Sequence, residues 1–193
     1  MAADPLTDII AQITASPHTN RILTGPTNSG KSQFLERLVE ALRAEFPHWK
    51  IGGLISRGVF FNSAKIAYEG IDCLSGATFL LTIKRNLSPE AESFLDQKFG
   101  KPASSPQGEE VGSWLLLNEG LTHATAAIQT AITARCNQVI IDEFGPLECE
   151  GKGLRPAADA LMESNHPALL VVREKLLEEV QSLYSPFKIH YMG

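Results

Sequence analysis

The sequence predicts an α/β protein of three layers: a central, mostly parallel sheet covered by helices on both faces, with an antiparallel β insertion after the second strand. Two observations carry this. Short aliphatic runs alternate with segments of helical period along most of the chain, the pattern of parallel strands joined by crossover helices. Between Arg57 and Ile83 the helical period disappears, and β-type runs are punctuated by turn dipeptides, as in a hairpin or meander. The 193 residues amount to one domain, 1–193, with residues 57–110 as an insertion within it.

Each element has its own warrant. Asp4-Pro5 supplies an N-cap and first helical position for a leading helix over 4–15, with Leu6, Ile9, Ile10 and Ile13 at helical spacing. Arg21 to Thr24 reads as a short buried strand ending at Gly25. From Lys31 to Phe46, Phe34, Leu35, Leu38, Val39 and Leu42 share one face while Glu36, Arg37, Glu40 and Arg43 take the other, an amphipathic helix that Pro47 stops. Ile51 to Ile55 predicts the second strand. Val59–Phe61, Lys65–Tyr68 and Ala77–Leu81 then predict β runs, separated by Asn62-Ser63, Glu69-Gly70 and Ser75-Gly76. Ser88-Pro89-Glu90 signals a helix start, and the Gly-, Pro- and Ser-rich stretch over 100–108 predicts a mobile loop. A helix over 118–135 leads into the strand Gln138–Ile141, which Asp142-Glu143 caps. Residues 153–164 and 174–183 read as helices, with strands at Ala168–Val172 and Phe187–Tyr191.

Composition narrows the function. Seventeen basic residues against 22 acidic ones give a net charge of −5, with no block of like charges, so neither nucleic acid nor an anionic membrane is an expected partner. The start of the chain lacks a basic n-region, and no apolar run approaches the length of a membrane span. Cys73, Cys136 and Cys149 are an odd number, widely spaced and without a C-x-x-C pair, which argues against disulfides and a zinc knuckle. The expectation is a reduced, cytoplasmic protein.

The chemistry lies in two motifs. Gly25-Pro26-Thr27-Asn28-Ser29-Gly30-Lys31-Ser32 is a complete G-x-x-x-x-G-K-[ST] phosphate loop, or Walker A sequence, set between a strand and a helix. Its amides and the helix N-terminus would point at a phosphate chain. Lys31 would reach the β- and γ-phosphates, and the Ser32 hydroxyl would ligate Mg²⁺. Val139-Ile140-Ile141-Asp142-Glu143 fits Walker B, an aliphatic strand ending in an acid. Asp142 would hold Mg²⁺ across from Ser32, and Glu143 is placed to orient and deprotonate an attacking water.

These motifs and their flanks resemble the cancer-related nucleoside-triphosphatase family. Leu23-Thr-Gly-Pro-Thr-Asn-Ser-Gly-Lys-Ser32, Ile51-Gly-Gly-Leu54, Gly70-Ile-Asp72, Val111-Gly-Ser-Trp114 and Ile140-Ile-Asp-Glu-Phe-Gly-Pro-Leu-Glu148 fall in the same order, spanning about residues 21 to 185. The last run is the specific one, similar to that family's Asp-Glu-Ile-Gly-Pro-Met-Glu. The resemblance implies a RecA-like P-loop core and slow, Mg²⁺-dependent hydrolysis of several NTPs to NDP and phosphate. Ser56-Arg57-Gly58 departs from the family's acidic segment after the second strand.

Other residues compete for roles. Arg173, directly after the Ala168–Val172 strand, is positioned to stabilise transition-state charge on the γ-phosphate, and Arg57 after the second strand is its rival. Glu148 is a candidate support for the loop that bears Glu143, or a helix cap. Trp114 could stack on a base or simply pack, while His123 and the pair Lys84-Arg85 read as structural and solvated, respectively. The substrate is thus ATP, GTP or another NTP. A small-molecule or nucleotide kinase using the same loop is one alternative, with 57–110 as acceptor site or lid; a nucleotide-gated switch is another.

Overall fold

A computed structural model of the chain describes residues 4–26, 29–102 and 105–192. In chain order the elements are α1 (Pro5–Ala15), β1 (Arg21–Gly25), α2 (Lys31–Glu45), β2 (Ile51–Phe61), β3 (Ala64–Asp72), β4 (Thr78–Lys84), α3 (Pro89–Phe99) and β5 (Gly108–Val111). There follow β6 (Trp114–Leu117), α4 (Asn118–Thr133), β7 (Gln138–Phe144), the single turn α5 (Pro146–Cys149), α6 (Arg155–Glu163), β8 (Ala168–Arg173), α7 (Leu177–Leu183) and β9 (Lys188–Tyr191). The described strands form one sheet in the order β5-β6-β4-β3-β2-β7-β8-β1-β9.

The sheet has two halves. From β2 through β7, β8 and β1 to β9 the neighbours run parallel, whereas the β2–β3, β3–β4, β4–β6 and β6–β5 pairs are antiparallel. It is therefore a mixed sheet, where the sequence predicts a mostly parallel one with an antiparallel insertion. The cause is β2, which does not stop at Ile55 but runs unbroken to Phe61, so that one strand carries β7 on one edge and β3 on the other.

Alternation along the parallel strands assigns the two faces. Leu23, Ile140, Leu169 and Val171 point toward α1 and α2, where they meet Ile9, Ile13, Leu35 and Leu38. Ile22, Ile141, Leu170 and Val172 point the other way and pack under α4, α6 and α7. A smaller cluster of Val59, Ile66 and Ala67 against Ala91 and Leu95 seats α3 on the antiparallel half. Among the described residues no helix is long and apolar enough to cross a membrane.

Several boundaries differ from the sequence reading. Asp4 and Pro5 do begin α1, but the Asp4 side chain makes no capping bond. Glu69-Gly70, expected as a turn, lies inside β3: a Cβ on Gly70 would stand 2.4 Å from the Phe79 ring, so this glycine serves packing. The stretch expected as a mobile loop over 100–108 ends in strand β5, whose partner β6 was not anticipated; Ala103 and Ser104 lie outside the described residues.

Where β2 meets β7 the backbones approach unusually closely. Gly53 has φ +94°, and a Cβ there would lie 2.0 Å from the Ile140 carbonyl oxygen. Backbone cannot yield as a flexible side chain can, and the positive φ adds its own cost for an L residue. Gly53→Ala should separate β2 from β7 and remove the cooperative thermal transition expected of the parent chain. A Gly53→Ala protein with parental Tm would show that this contact is not obligatory.

Candidate active site

The site forms where β1, β7 and β8 end at the same edge of the sheet. β1 terminates at Gly25 and α2 begins at Lys31, with Gly30 at the helix N-cap in left-handed backbone (φ +82°) and its carbonyl accepting the amide of Phe34 at 2.9 Å. Thr27 and Asn28, the middle of the expected phosphate loop, lie outside the described residues. Pro26 and Ser29 flank them.

Lys31 folds across its own loop. Its Nζ donates to the carbonyl oxygens of Gly25 (3.0 Å) and Pro26 (2.5 Å) and to Ser29 Oγ (3.3 Å). The ammonium is thus tethered by loop acceptors and does not point freely outward. Burial lowers its pKa, an effect that Asp142 opposes and Arg173 reinforces.

Asp142 is the centre of the arrangement. Ser32 Oγ donates to its Oδ2 at 2.7 Å, and the Ser56 amide donates to the same oxygen at 3.1 Å. The carboxylate is almost fully buried, 2% exposed, and burial pushes its pKa up to about 7, with Glu143 adding to the rise and the Ser32 and Ser56 bonds resisting it. The sign of the consequence follows from linkage. A carboxyl whose folded pKa exceeds its unfolded value of about 3.9 contributes stability below that pH, and the contribution is lost as pH climbs through about 7. An asparagine in place of Asp142 would keep an oxygen for both donors yet stay neutral. In the absence of divalent metal, Asp142→Asn should match the parent's Tm near about pH 4 and exceed it near about pH 8; parallel Tm–pH curves would contradict this.

Glu143 owes its position to a bulge. Ile141 pairs with Leu170 and Phe144 with Val172, so two residues of β7 lie between pairs where β8 has one. Such a bulge re-aims a side chain. Glu143 takes it up with φ +63°, a left-handed conformation rare for a non-glycine residue and frequent at functional sites. Phe144 returns to the core, fully buried, while Glu143 stays exposed. The surrounding protein raises its pKa; Arg173 and then Lys65 pull it back.

Arg173 ends β8 opposite Gly25 in the register, and among the described residues its guanidinium makes no hydrogen bond or ion pair. Its charge acts on both Glu143 and Lys31. Arg57 is committed elsewhere: it pairs with Glu36 of α2 at 3.1 Å and with the buried Glu69 at 2.7 Å, and Lys98 completes the network at 3.3 Å from Glu69. Glu148 is a clamp. One oxygen accepts the Gly145 amide (2.8 Å) and the other the Leu154 amide (3.0 Å), which fixes the turn just after Glu143. Trp114 packs edge-on to Tyr68 (5.1 Å), His123 lies beside Phe79 (5.3 Å), and Arg85 pairs with Glu110.

Two participants escaped the sequence reading. The Ser56 amide reaches Asp142 only because β2 pairs with β7, and Lys65 acts on Glu143 from the β2–β3 hairpin; no local pattern announces either.

A mixed sheet flanked by helices, with the G-x-x-x-x-G-K-S sequence after one strand and an acid pair at the tip of another, is the arrangement of an α/β nucleotide-binding protein. The chain belongs to the NTPase family, whose model, described as NTPase, matches residues 20–191. Nucleoside-triphosphatase THEP1 of Methanopyrus kandleri is 24% identical over 159 residues, covering 82% of this chain and 75% of that protein. The protein of the same name from Methanothermobacter thermautotrophicus is 28% identical over 160 residues, covering 83% and 79%. The solution structure of a human cancer-related nucleoside triphosphatase aligns with a TM-score of 0.63 over 90% of this chain and 88% of that one, at 18% identity, which is a likeness of fold.

Proposed function

We propose that the chain hydrolyses nucleoside triphosphates to NDP and phosphate in a Mg²⁺-dependent reaction that is slow and broad in base preference. The observation that carries this is the 2.7 Å contact between Ser32 Oγ and Asp142 Oδ2, with Glu143 next in sequence, exposed and in left-handed backbone. Family membership and the nucleoside-triphosphatase relatives support it.

The donor set suits Mg²⁺. One hydroxyl and one buried carboxylate are few for a dedicated metal cage, and among the described residues no cluster of three or more His, Cys, Asp or Glu exists. Mg²⁺ typically takes one or two protein oxygens and completes its shell with water and phosphate oxygens. Ser32 and Asp142 would hold it, and when bound it supplies charge neutralisation for the β- and γ-phosphoryl oxygens.

The chain's own residues do the rest. The loop amides and Lys31 hold the phosphates, so the Lys31 ammonium exchanges the Gly25 and Pro26 carbonyls for phosphate oxygens. Glu143 orients a water against the γ-phosphorus and accepts its proton as the new P–O bond forms; the β,γ-bridging bond breaks, and its electron pair leaves on the NDP. Arg173 balances the charge that spreads over the transferring group.

The core strand order β2-β7-β8-β1-β9, with one strand between the loop-bearing β1 and the acid-bearing β7, supports a RecA-like arrangement of residues 1–193 acting as one unit. Three unpaired cysteines suit a cytoplasmic location. The test is phosphate release with each of the four NTPs. Release should require Mg²⁺, stop in excess chelator and yield the matching NDP without any added acceptor. Activity that survives chelation, or turnover that needs a nucleoside acceptor, would overturn the proposal.

A further inference from the structure

The edge of the sheet opposite the antiparallel half is β9, and it borders the phosphate loop directly. Tyr191 pairs with Thr24 in parallel register, and the Met192 amide donates to the Thr24 carbonyl at 2.8 Å. The Met192 carbonyl lies so near Gly25 that a Cβ on that glycine would stand 2.5 Å from it. The backbone just after Tyr191 is therefore fitted against the first residue of the loop.

Among the described residues, large hydrophobic side chains stand exposed at two positions, Tyr191 (65%) and Phe60 (56%). The direction of a bound nucleotide separates them. On the proposed reading Asp142 and Glu143 on β7 face the terminal phosphate, and the loop at the tip of β1 holds the phosphates behind it. A nucleoside continuing the same way would pass from β7 over β8 and β1 toward β9, the order in which those strands lie. Those three interstrand steps span about 14 Å, the scale of a nucleoside triphosphate laid out from terminal phosphate to base. Because β1 and β9 are parallel, Tyr191 ends at the sheet edge that carries the loop, where open α/β sheets bind their ligands. Phe60 lies in the β2–β3 hairpin, on the side of β7 away from β8, β1 and β9.

We propose that Tyr191 is the residue on which the nucleobase of the bound nucleotide stacks. The proposal rests on the phosphate-loop reading given above. A phenol ring offers its face to any base and reads no base edge, so it adds affinity for nucleotides over inorganic polyphosphate without choosing among bases.

The test is calorimetric binding in the Glu143→Gln background, which spares the ligand from turnover. Tyr191→Ala should weaken the Mg²⁺ complexes of ATP, GTP, CTP and UTP by about 5- to 50-fold, while leaving magnesium tripolyphosphate within about twofold, since that ligand has no base to stack. Tyr191→Phe should retain nucleotide affinity, and Phe60→Ala should leave all of these ligands unaffected. Unchanged nucleotide affinity in Tyr191→Ala overturns the proposal. So does an equal loss for tripolyphosphate, which would make Tyr191 a support for the loop and not a base contact. If the parent protein binds neither nucleotide nor tripolyphosphate, the phosphate-loop reading itself fails and this proposal falls with it.

Discussion

Glu143→Gln should lower kcat by about 10²- to 10⁴-fold and leave NTP affinity nearly unchanged. The substitution keeps the shape and the left-handed backbone but removes the proton acceptor. Ground-state binding draws on Lys31, the loop amides and the Ser32–Asp142 pair, none of which Glu143 contacts through a side-chain hydrogen bond among the described residues, so the loss should fall on the transition state alone. The neighbouring acid should behave differently. Asp142→Asn removes the proposed metal ligand, and it should raise the Mg²⁺ concentration needed for half-maximal rate along with lowering kcat. Single-turnover kinetics with titrated Mg²⁺ separate the two variants. Near-parental hydrolysis by Glu143→Gln would place the base elsewhere. Glu148 is no replacement, because both of its oxygens are taken by the Gly145 and Leu154 amides.

The second large effect is expected at Lys31. Lys31→Ala should weaken Mg²⁺–NTP binding by about 100-fold or more, roughly 3 kcal/mol, and turnover should fall with it. The tether to Gly25, Pro26 and Ser29 shapes this expectation. One compact ammonium satisfies three acceptors at Gly25, Pro26 and Ser29, and phosphate oxygens would take over those bonds. Lys31→Arg should not rescue binding, since a planar fork cannot reproduce three N–H donors radiating from one nitrogen. α2 is packed by Phe34, Leu35 and Leu38, not by Lys31, and the Tm of the alanine variant should stay within a few degrees of the parent. A folded Lys31→Ala protein with parental nucleotide affinity would remove the basis of the functional assignment.

Legibility in the sequence followed the range of the interaction. α2 and the 138–141 core of β7 declare themselves by period and by local motif, as do the phosphate loop and the Asp142-Glu143 pair. What remained hidden depends on partners distant in sequence. Gly70 reads as a turn until Phe79 is known to cover it, and Gly108 reads as loop until β6 pairs with it. Arg57 was a fair candidate for the γ-phosphate on its position alone. Its pairing with Glu36 and Glu69 is settled by the β2–β3 register and by the approach of α2, neither of which a single sequence encodes locally. Glu148 showed its position in the motif but not its two amide partners, one of which is six residues away at the start of another helix.

The placement of β1 also bears on how the chain is made. Its two neighbours, β8 and β9, begin at Ala168 and Lys188, so the strand that leads into the G-x-x-x-x-G-K-S segment leaves the ribosome well before either partner is made. The β2–β3–β4 meander, by contrast, closes with partners a few residues away and can order as soon as it is synthesised. Nascent chains arrested before Ala168 should therefore hold a structured meander beside an exposed apolar strand. The strand that carries the proposed phosphate loop is thus paired after the meander, and products truncated before Ala168 carry a sticky strand at that edge.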